Sequence, residues 1–206
     1  MGIQVIITAA GIGTRLGLGI PKPLVKIKDK LLIDYQLELI DKLKIPKIRI
    51  VVGFRKELIV KHISNHPLKD RITIIENKDY ETTGPSYSVA LGAKGVTDDI
   101  LVLDGDVLCN SIDISEHFIA VTPISSERPV RVNVEAGKVT CFEKGDYEWG
   151  CICLMPSNFI NYNKKYIYES LISFLPIKAQ MIDSVEIDTQ NDLKTAERWL
   201  SGQGIY

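Results

Sequence analysis

Long apolar runs are missing from this chain of 206 residues: none approaches the roughly 18 residues that a membrane helix needs, and the first residues lack the basic region and apolar stretch of a signal peptide. No membrane partner is therefore expected, and a cytoplasmic location is. Neither sign of charge is in excess, since 25 Lys and Arg face 26 Asp and Glu for a formal net charge of −1. That balance gives no electrostatic footprint for nucleic acid. Cysteine is scarce. Cys109, Cys141, Cys151 and Cys153 suit a reducing compartment as free thiols, and although Cys151 and Cys153 would share one face of a strand, the usual metal-binding Cys-x-x-Cys spacing is absent. Buried thiols are the expectation. Of the three histidines, His62 and His66 stand four apart near the end of a predicted helix, but no acid completes a zinc-protease pattern and Pro67 follows at once. They read as solvated surface residues.

Glycine, by contrast, is concentrated where it matters. The apolar run Ile3-Gln4-Val5-Ile6-Ile7 suits the buried centre of a parallel sheet, and it opens into a loop carrying Gly11, Gly13, Gly17 and Gly19. A backbone without Cβ atoms can turn sharply and bring its N–H groups against anionic oxygens. Arg15 and Lys22 add a fork-shaped and a point-like cation to the same loop, and Pro21 and Pro23 are expected to hold the chain around Lys22 in a restricted, extended form. A flexible linker with ordinary surface cations would not follow a buried strand or flank a lysine with prolines. The combination fits a phosphate chain.

Two other glycine loops fail on spacing. A Walker loop ends in Gly-Lys-Ser or Gly-Lys-Thr, whereas Lys22 lies between prolines. A dinucleotide fingerprint needs a third glycine three residues after the second and an acid at the end of the next strand. Here Gly13 is followed by Thr14-Arg15-Leu16-Gly17, and the strand over residues 48–52 ends in Gly53-Phe54-Arg55.

The pattern Gly-x-Gly-Thr-Arg…Pro-Lys-Pro-Leu resembles the signature of nucleotidyltransferases with a GT-A-like fold. These include sugar-1-phosphate nucleotidyltransferases using UTP, dTTP or GTP, and smaller cytidylyltransferases acting on phosphocholine, inositol phosphate or phosphonates. The resemblance implies transfer of a nucleoside monophosphate from a nucleoside triphosphate, CTP favoured, to a phosphorylated small-molecule acceptor, with magnesium as cofactor. A silent nucleotide-binding regulator is the competing reading, but it would be expected to lose the cations or acids that this chain retains.

The order of elements agrees with that fold. Strand and helix signals alternate through the first half, with helices predicted over residues 31–43, 55–64 and 86–94 and strands over 48–52, 72–75 and 99–103. The second half reads differently: residues 130–134 and 139–143 flank Ala136-Gly137-Lys138 as a hairpin, a strand covers 149–154, and the stretch 157–175 reads as helical. No linker or repeat divides the chain. The expectation is one α/β domain over residues 1–206, a three-layer, mostly parallel mixed sheet of the GT-A or Rossmann-like kind.

Site roles follow from the resemblance. The strand ending in Asp104-Gly105-Asp106 delivers carboxylates to its open end, where such sheets keep their ligands, and the family's metal-binding acid corresponds to Asp106, with Asp104 as the fallback. The segment Asp188-Thr189-Gln190-Asn191-Asp192-Leu193 resembles the element whose first acid completes the metal site. By pattern alone Asp188 or Thr189 serves equally well as a helix N-cap, with Asp192 in the first turn. Arg15 and Lys22 are the expected catalytic cations. The nucleotide is expected on Ala9, Ala10, Gly11, Gly13, Thr14, Arg15 and Lys22, with base recognition from the backbone around Ala9 and Ala10 and from Thr83, Gly84, Ser86 and Ser88, where Ser86 also reads as a helix cap. Lys144, Trp149 and Gly150 occupy positions of acceptor contacts.

Overall fold

A computed structural model describes residues 2–202. In chain order, β1 (Ile3–Ala9) leads through the glycine loop to the short hairpin β2 (Lys26–Ile27) and β3 (Lys30–Leu31), then α1 (Leu32–Lys42). The alternation continues with β4 (Lys47–Val52), α2 (Lys56–Ser64), β5 (Ile72–Glu76), α3 (Pro85–Ala93) and β6 (Asp99–Asp104). Strands then dominate: β7 (Val107–Cys109), β8 (Phe118–Pro123), β9 (Arg131–Glu135), β10 (Lys138–Phe142) and β11 (Tyr147–Met155). The short α4 (Ile167–Leu171), β12 (Ile177–Met181), β13 (Ser184–Glu186) and α5 (Gln190–Leu200) complete the described chain.

Nine strands form one sheet in the order β5-β4-β1-β6-β11-β8-β12-β10-β9. The half built from β5, β4, β1 and β6 is parallel throughout. The other half is mixed: β11 runs antiparallel to both β6 and β8, whereas β8 and β12 are parallel. In the parallel half the helices provide the crossovers that such connections require, whereas the β8–β12 pair is joined through β9, β10, β11 and α4. Opposite faces of β1 feed two cores. Val5 and Ile7 pack with Ile33, Leu37 and Ile40 of α1 and Ile59 and Ile63 of α2, while Ile6 packs with Val89 of α3 and Ile167 and Leu171 of α4. This gives the expected three layers. A third cluster, with Trp199 and Ala196 of α5 against Leu16, Val25, Ile27 and Val185, ties the glycine loop to the carboxy-terminal helix.

Several local expectations need correction. The stretch 157–175 is not one helix, because Pro156, Asn158, Asn161 and Asn163 favour turns and only Ile167–Leu171 and a following 3₁₀ turn are helical. His62 and His66 are not simply solvated: both are partly buried and converge on Asp34 of α1, His62 Nε2 at 2.6 Å and His66 Nε2 at 3.9 Å from Oδ1. The predicted common face for Cys151 and Cys153 is interrupted by a register shift between β11 and β8, with Cys151 at φ +57°. Cys153 and Cys109 are buried, whereas Cys141 and Cys151 are only partly so. Lys22 is not extended either. The extended conformation ends at Pro21, and Lys22–Leu24 forms a 3₁₀ turn closed by Leu24 N–H to Pro21 O and Val25 N–H to Lys22 O, both 2.9 Å.

One buried side chain fixes the far edge of the site. Gln36, on the core face of α1, donates from Nε2 to the carbonyls of Asp104 (2.8 Å) and Val107 (2.9 Å), bracketing the turn that carries Asp106. Gln36→Leu leaves those carbonyls without this partner, at an expected cost of about 1–3 kcal/mol. Thermal unfolding should show a fall of several degrees in Tm, and an unchanged Tm would remove Gln36 from this role.

Candidate active site

Thr8 and Asp104 are partners in the parallel register of β1 and β6, and Thr8 Oγ1 donates to Asp104 Oδ1 at 2.6 Å. Immediately beyond, Gly105 N–H donates to Thr8 O at 3.0 Å. A Cβ on Gly105 would stand 2.3 Å from that oxygen, so glycine is what permits the turn to close on β1. Asp106 is thereby turned away from the strand and towards the glycine loop.

A second pairing brings the other acids. β13 runs antiparallel to β7 with Glu186 opposite Val107, and Ile187 N–H donates to Asp106 O at 2.8 Å. Residues two apart on extended chain share a face. Glu186 and Asp188 accordingly join Asp106, each offering a carboxylate oxygen within 4.8 Å of the others. Thr189 caps α5 in a reciprocal box, its Oγ1 accepting from Asp192 N–H while the Asp192 carboxylate accepts from the Thr189 and Asp188 backbone amides. Asp188 therefore stands outside the helix with its carboxylate in the cleft, and Thr189 is the cap.

The cations close the arrangement. Lys22 Nζ lies 2.7 Å from Asp106 Oδ2 and hydrogen-bonds Asp188 Oδ1, while Arg15 reaches Asp188 Oδ2 at 2.6 Å. Lys22 is 15% exposed at its side chain and Arg15 65%, so one cation is set into the cleft wall and the other stands at its mouth. Burial pulls the Lys22 ammonium down, but the charges and hydrogen bonds of Asp106 and Asp188 outweigh it and hold it above its ordinary value. Desolvation and repulsion from Asp106, Asp188 and Asp104 push the Glu186 carboxyl well above the usual carboxylate range, against the opposing charge of Lys22.

Thr8, Ala9, Gly11, Gly13, Thr14, Arg15, Lys22, Pro23, Gly105, Asp106 and Asp188 line a single cleft of about 210 Å³. The loop is held open by contacts at its rim, from Gln190 Nε2 to Leu16 O at 3.0 Å and from Arg55 to Gly19 O at 2.6 Å. Gly13 has φ +66°, and a Cβ there would stand 2.9 Å from Lys22 Cγ, so the lysine stem lies directly on the glycine loop. The predicted base-recognition segment sits apart from this cleft lining. Asn77 Nδ2 donates to Thr83 Oγ1 (3.0 Å) and Ser88 Oγ (3.1 Å), which makes those hydroxyls loop fasteners. Ser86 is buried and is not the cap: Gly84 holds the cap position and Pro85 starts α3, as its fixed φ favours. Gly84 is hemmed in, since a Cβ would stand 2.2 Å from Lys165 O. Trp149 and Gly150 belong to the packed interior of β11, with Trp149 edge-on to Phe142 at 6.1 Å, while Lys144 is exposed in the turn before that strand.

Glu186 was not singled out from sequence, although the alternation Glu186-Ile187-Asp188 carries the signal: one strand face with two acids. Thr8 and Gln190 gave none, because their roles depend on partners 96 and 174 residues away.

A sequence model described as a MobA-like NTP transferase domain matches residues 5–147, from within β1 to the start of β11. The chain belongs to this nucleotidyltransferase family. Among curated relatives, the bifunctional protein GlmU of Methanococcus maripaludis is 31% identical over 170 residues, 77% of this chain and 38% of the relative. The chain spans between 25% and 38% of the length of the first such relatives. The fold is shared with the CTP:phosphocholine cytidylyltransferase of Streptococcus pneumoniae, at TM-score 0.80 and 22% identity over 97% of this chain and 100% of that one. It is shared equally with a UDP-glucose pyrophosphorylase complexed with UDP-glucose, at TM-score 0.80 and 17% identity over 99% and 100%. The GT-A-like architecture is thereby established.

Asp104, the fallback acid, is engaged by Thr8 and lies outside the three-acid cluster. Burial and repulsion from Asp106 raise its carboxyl from 3.8 to about 7, against the opposing effects of Thr8 and Lys22. A folded value above the unfolded one means that the native state binds the proton more tightly, so stability is lost as pH rises from about 4 to about 7. Asp104→Asn should keep the Thr8 hydrogen bond and unfold several degrees above the wild type at pH 8. The gap should narrow as pH falls from 7 towards 4; a constant or reversed gap would contradict this account.

Proposed function

We propose that this chain is a magnesium-dependent nucleotidyltransferase that transfers a nucleoside monophosphate, with CTP as the favoured donor, to a phosphorylated small-molecule acceptor and releases pyrophosphate. The observation that carries the reading is the convergence of Lys22 and Arg15 with Asp106, Glu186 and Asp188 beside the glycine loop.

The donor set fits the metal. Three clustered carboxylates offer hard oxygen ligands, and magnesium takes one or two of these while retaining waters and phosphate oxygens. Asp106 and Asp188 are the assigned ligands, with Glu186 beside them; bound there, magnesium would neutralise the charge of a triphosphate. The protein's own groups do the rest. The amides of Gly11, Gly13 and Thr14 and the exposed Arg15 hold the outer phosphates, and the backbone around Ala9 and Ala10 is the candidate for base recognition. Lys22, at the boundary of loop and acids, serves the phosphoryl group being transferred. An acceptor phosphate is already an anionic nucleophile at neutral pH, so positioning and charge stabilisation supply the catalysis.

CTP is favoured by the short, hydroxyl-rich segment Thr82-Thr83-Gly84-Pro85-Ser86-Tyr87-Ser88, which resembles the cytidylyltransferases more than their purine- or thymidine-selective relatives. Lys144, exposed before β11, is the candidate for the acceptor phosphate, with Trp149 and Gly150 of that strand as the other candidate acceptor positions. The test is pyrophosphate release with each nucleoside triphosphate and a panel of phosphorylated acceptors. Release that needs both a divalent cation and an acceptor is expected; UTP preference with a sugar-1-phosphate would move the chain to the pyrophosphorylase type, and nucleotide binding without turnover would make it a silent binder.

Asp106→Asn and Asp188→Asn should abolish metal-dependent release while remaining folded. Lys22→Ala should lower kcat by about 10²-fold or more with a smaller change in nucleotide affinity, and Lys22→Arg should not restore it, because a planar guanidinium cannot replace a point charge between prolines. Measuring kcat and nucleotide Kd separates these outcomes: a defect confined to binding would make Lys22 an anchor only.

A further inference from the structure

The place where a divalent cation would be shared by Asp106 and Asp188 is the place where Lys22 Nζ now stands. It contacts Asp106 Oδ2 and Asp188 Oδ1, and Arg15 takes the remaining oxygen of Asp188. Three of the four oxygens of the aspartate pair are thus engaged by the protein's own cations. A metal ion and an ammonium cannot both sit between these carboxylates, because the metal needs the same lone pairs at about 2.0–2.1 Å and the two cations repel at such separation.

Lys22 is also placed to leave. Its backbone is fixed by the 3₁₀ turn and the buried Pro23, while its stem runs across Gly13. Because Cγ, Cδ and Cε all lie against Gly13, the stem already runs beside the loop where phosphate oxygens are expected, and four rotatable bonds separate Nζ from the fixed backbone. Arg15, largely exposed, has the same choice between Asp188 and phosphate. Two cations against three carboxylates leave the cluster a formal charge of only −1, so a bare metal ion meets much less attraction than three unpaired carboxylates would give. Adding a triphosphate changes this, since it gives both displaced cations new partners.

We propose that Lys22 and Arg15 form an internal counter-ion latch, so that the ligand the site admits is the metal–triphosphate chelate and not the free divalent ion. This rests on the metal reading above but goes beyond it. The latch makes metal and triphosphate binding mutually reinforcing, because each favours the release of Lys22 that the other requires.

The test uses Mn²⁺ as the metal and inorganic tripolyphosphate as a base-independent triphosphate. Mn²⁺ affinity is measured by calorimetry and electron paramagnetic resonance on the metal-stripped full chain, with circular dichroism confirming the fold of each variant. Lys22→Met and Lys22→Gln should each bind Mn²⁺ alone at least about tenfold more tightly than wild type. In the wild type tripolyphosphate should strengthen Mn²⁺ binding, and in the variants this reinforcement should shrink by about the same factor. Adding Asp106→Asn should cancel the gain. Equal or weaker Mn²⁺ binding by both folded lysine variants, with Asp106→Asn still removing the metal, overturns the latch and leaves the metal site standing. No Mn²⁺ binding by any of these proteins, with or without tripolyphosphate, overturns the latch together with the metal reading.

Discussion

Like charge gathered at the end of a sheet is the constraint on which this structure turns. Asp106, Glu186 and Asp188 come from two segments 80 residues apart, and free carboxylates would drive those segments apart unless cations and backbone bonds held them. The backbone contribution is specific: Gly105 closes on Thr8, Gln36 brackets the turn from below, and Ile187 bonds to Asp106 O from the other side. Lys22 and Arg15 then supply the countercharge. Remove the close approach at Gly105 and Asp106 moves; remove the β7–β13 pairing and the other two acids leave with it.

The scaffold explains why the acids can be held at all. The parallel half ends its strands at one edge, so the loop after β1 and the turn after β6 are neighbours by register. The antiparallel half, with β11 paired to β6 and the chain returning through β12 to β13, brings the last acids to the same edge. α5 secures that return: its capping box fixes Asp188 outside the helix, and Trp199 and Ala196 bury against Leu16 and Val25 of the loop. A substitution in the α5 core would therefore be felt at the cations.

What was legible in the sequence was whatever depends on neighbours along the chain. The glycine loop, the Asp-Gly-Asp turn, the alternation of strand and helix to β6 and a helix cap at Asp188 or Thr189 all declare themselves through local spacing, and the capping box then selects Thr189. β8, buried from Phe118 to Thr122, is a short apolar stretch with no flanking glycine loop or helix to mark it, and residues 157–175 misled because apolar side chains recur there between turn-forming asparagines. The extended reading of Lys22 failed for a related reason. Prolines restrict the chain, but two turn hydrogen bonds decide its conformation. Glu186 was hidden by company: beside Asp188 it looked like the polar face of an ordinary strand, and only pairing with β7 shows that this face meets Asp106.

The difference between the two cations follows from the same geometry. Arg15 sits on a glycine-flanked loop and is mostly exposed, so its contact with Asp188 is screened by water and costs side-chain entropy to maintain. Lys22 is largely enclosed, on a backbone tightened by a 3₁₀ turn, and touches two acids at once. Desolvation makes an enclosed charge costly to leave unpaired, so Lys22 needs a partner at every stage, whether carboxylate or phosphate. An ammonium on a flexible stem meets that demand with either anion, because it has no preferred plane of approach. That is the physical reason a lysine, and not a second arginine, stands between the two prolines.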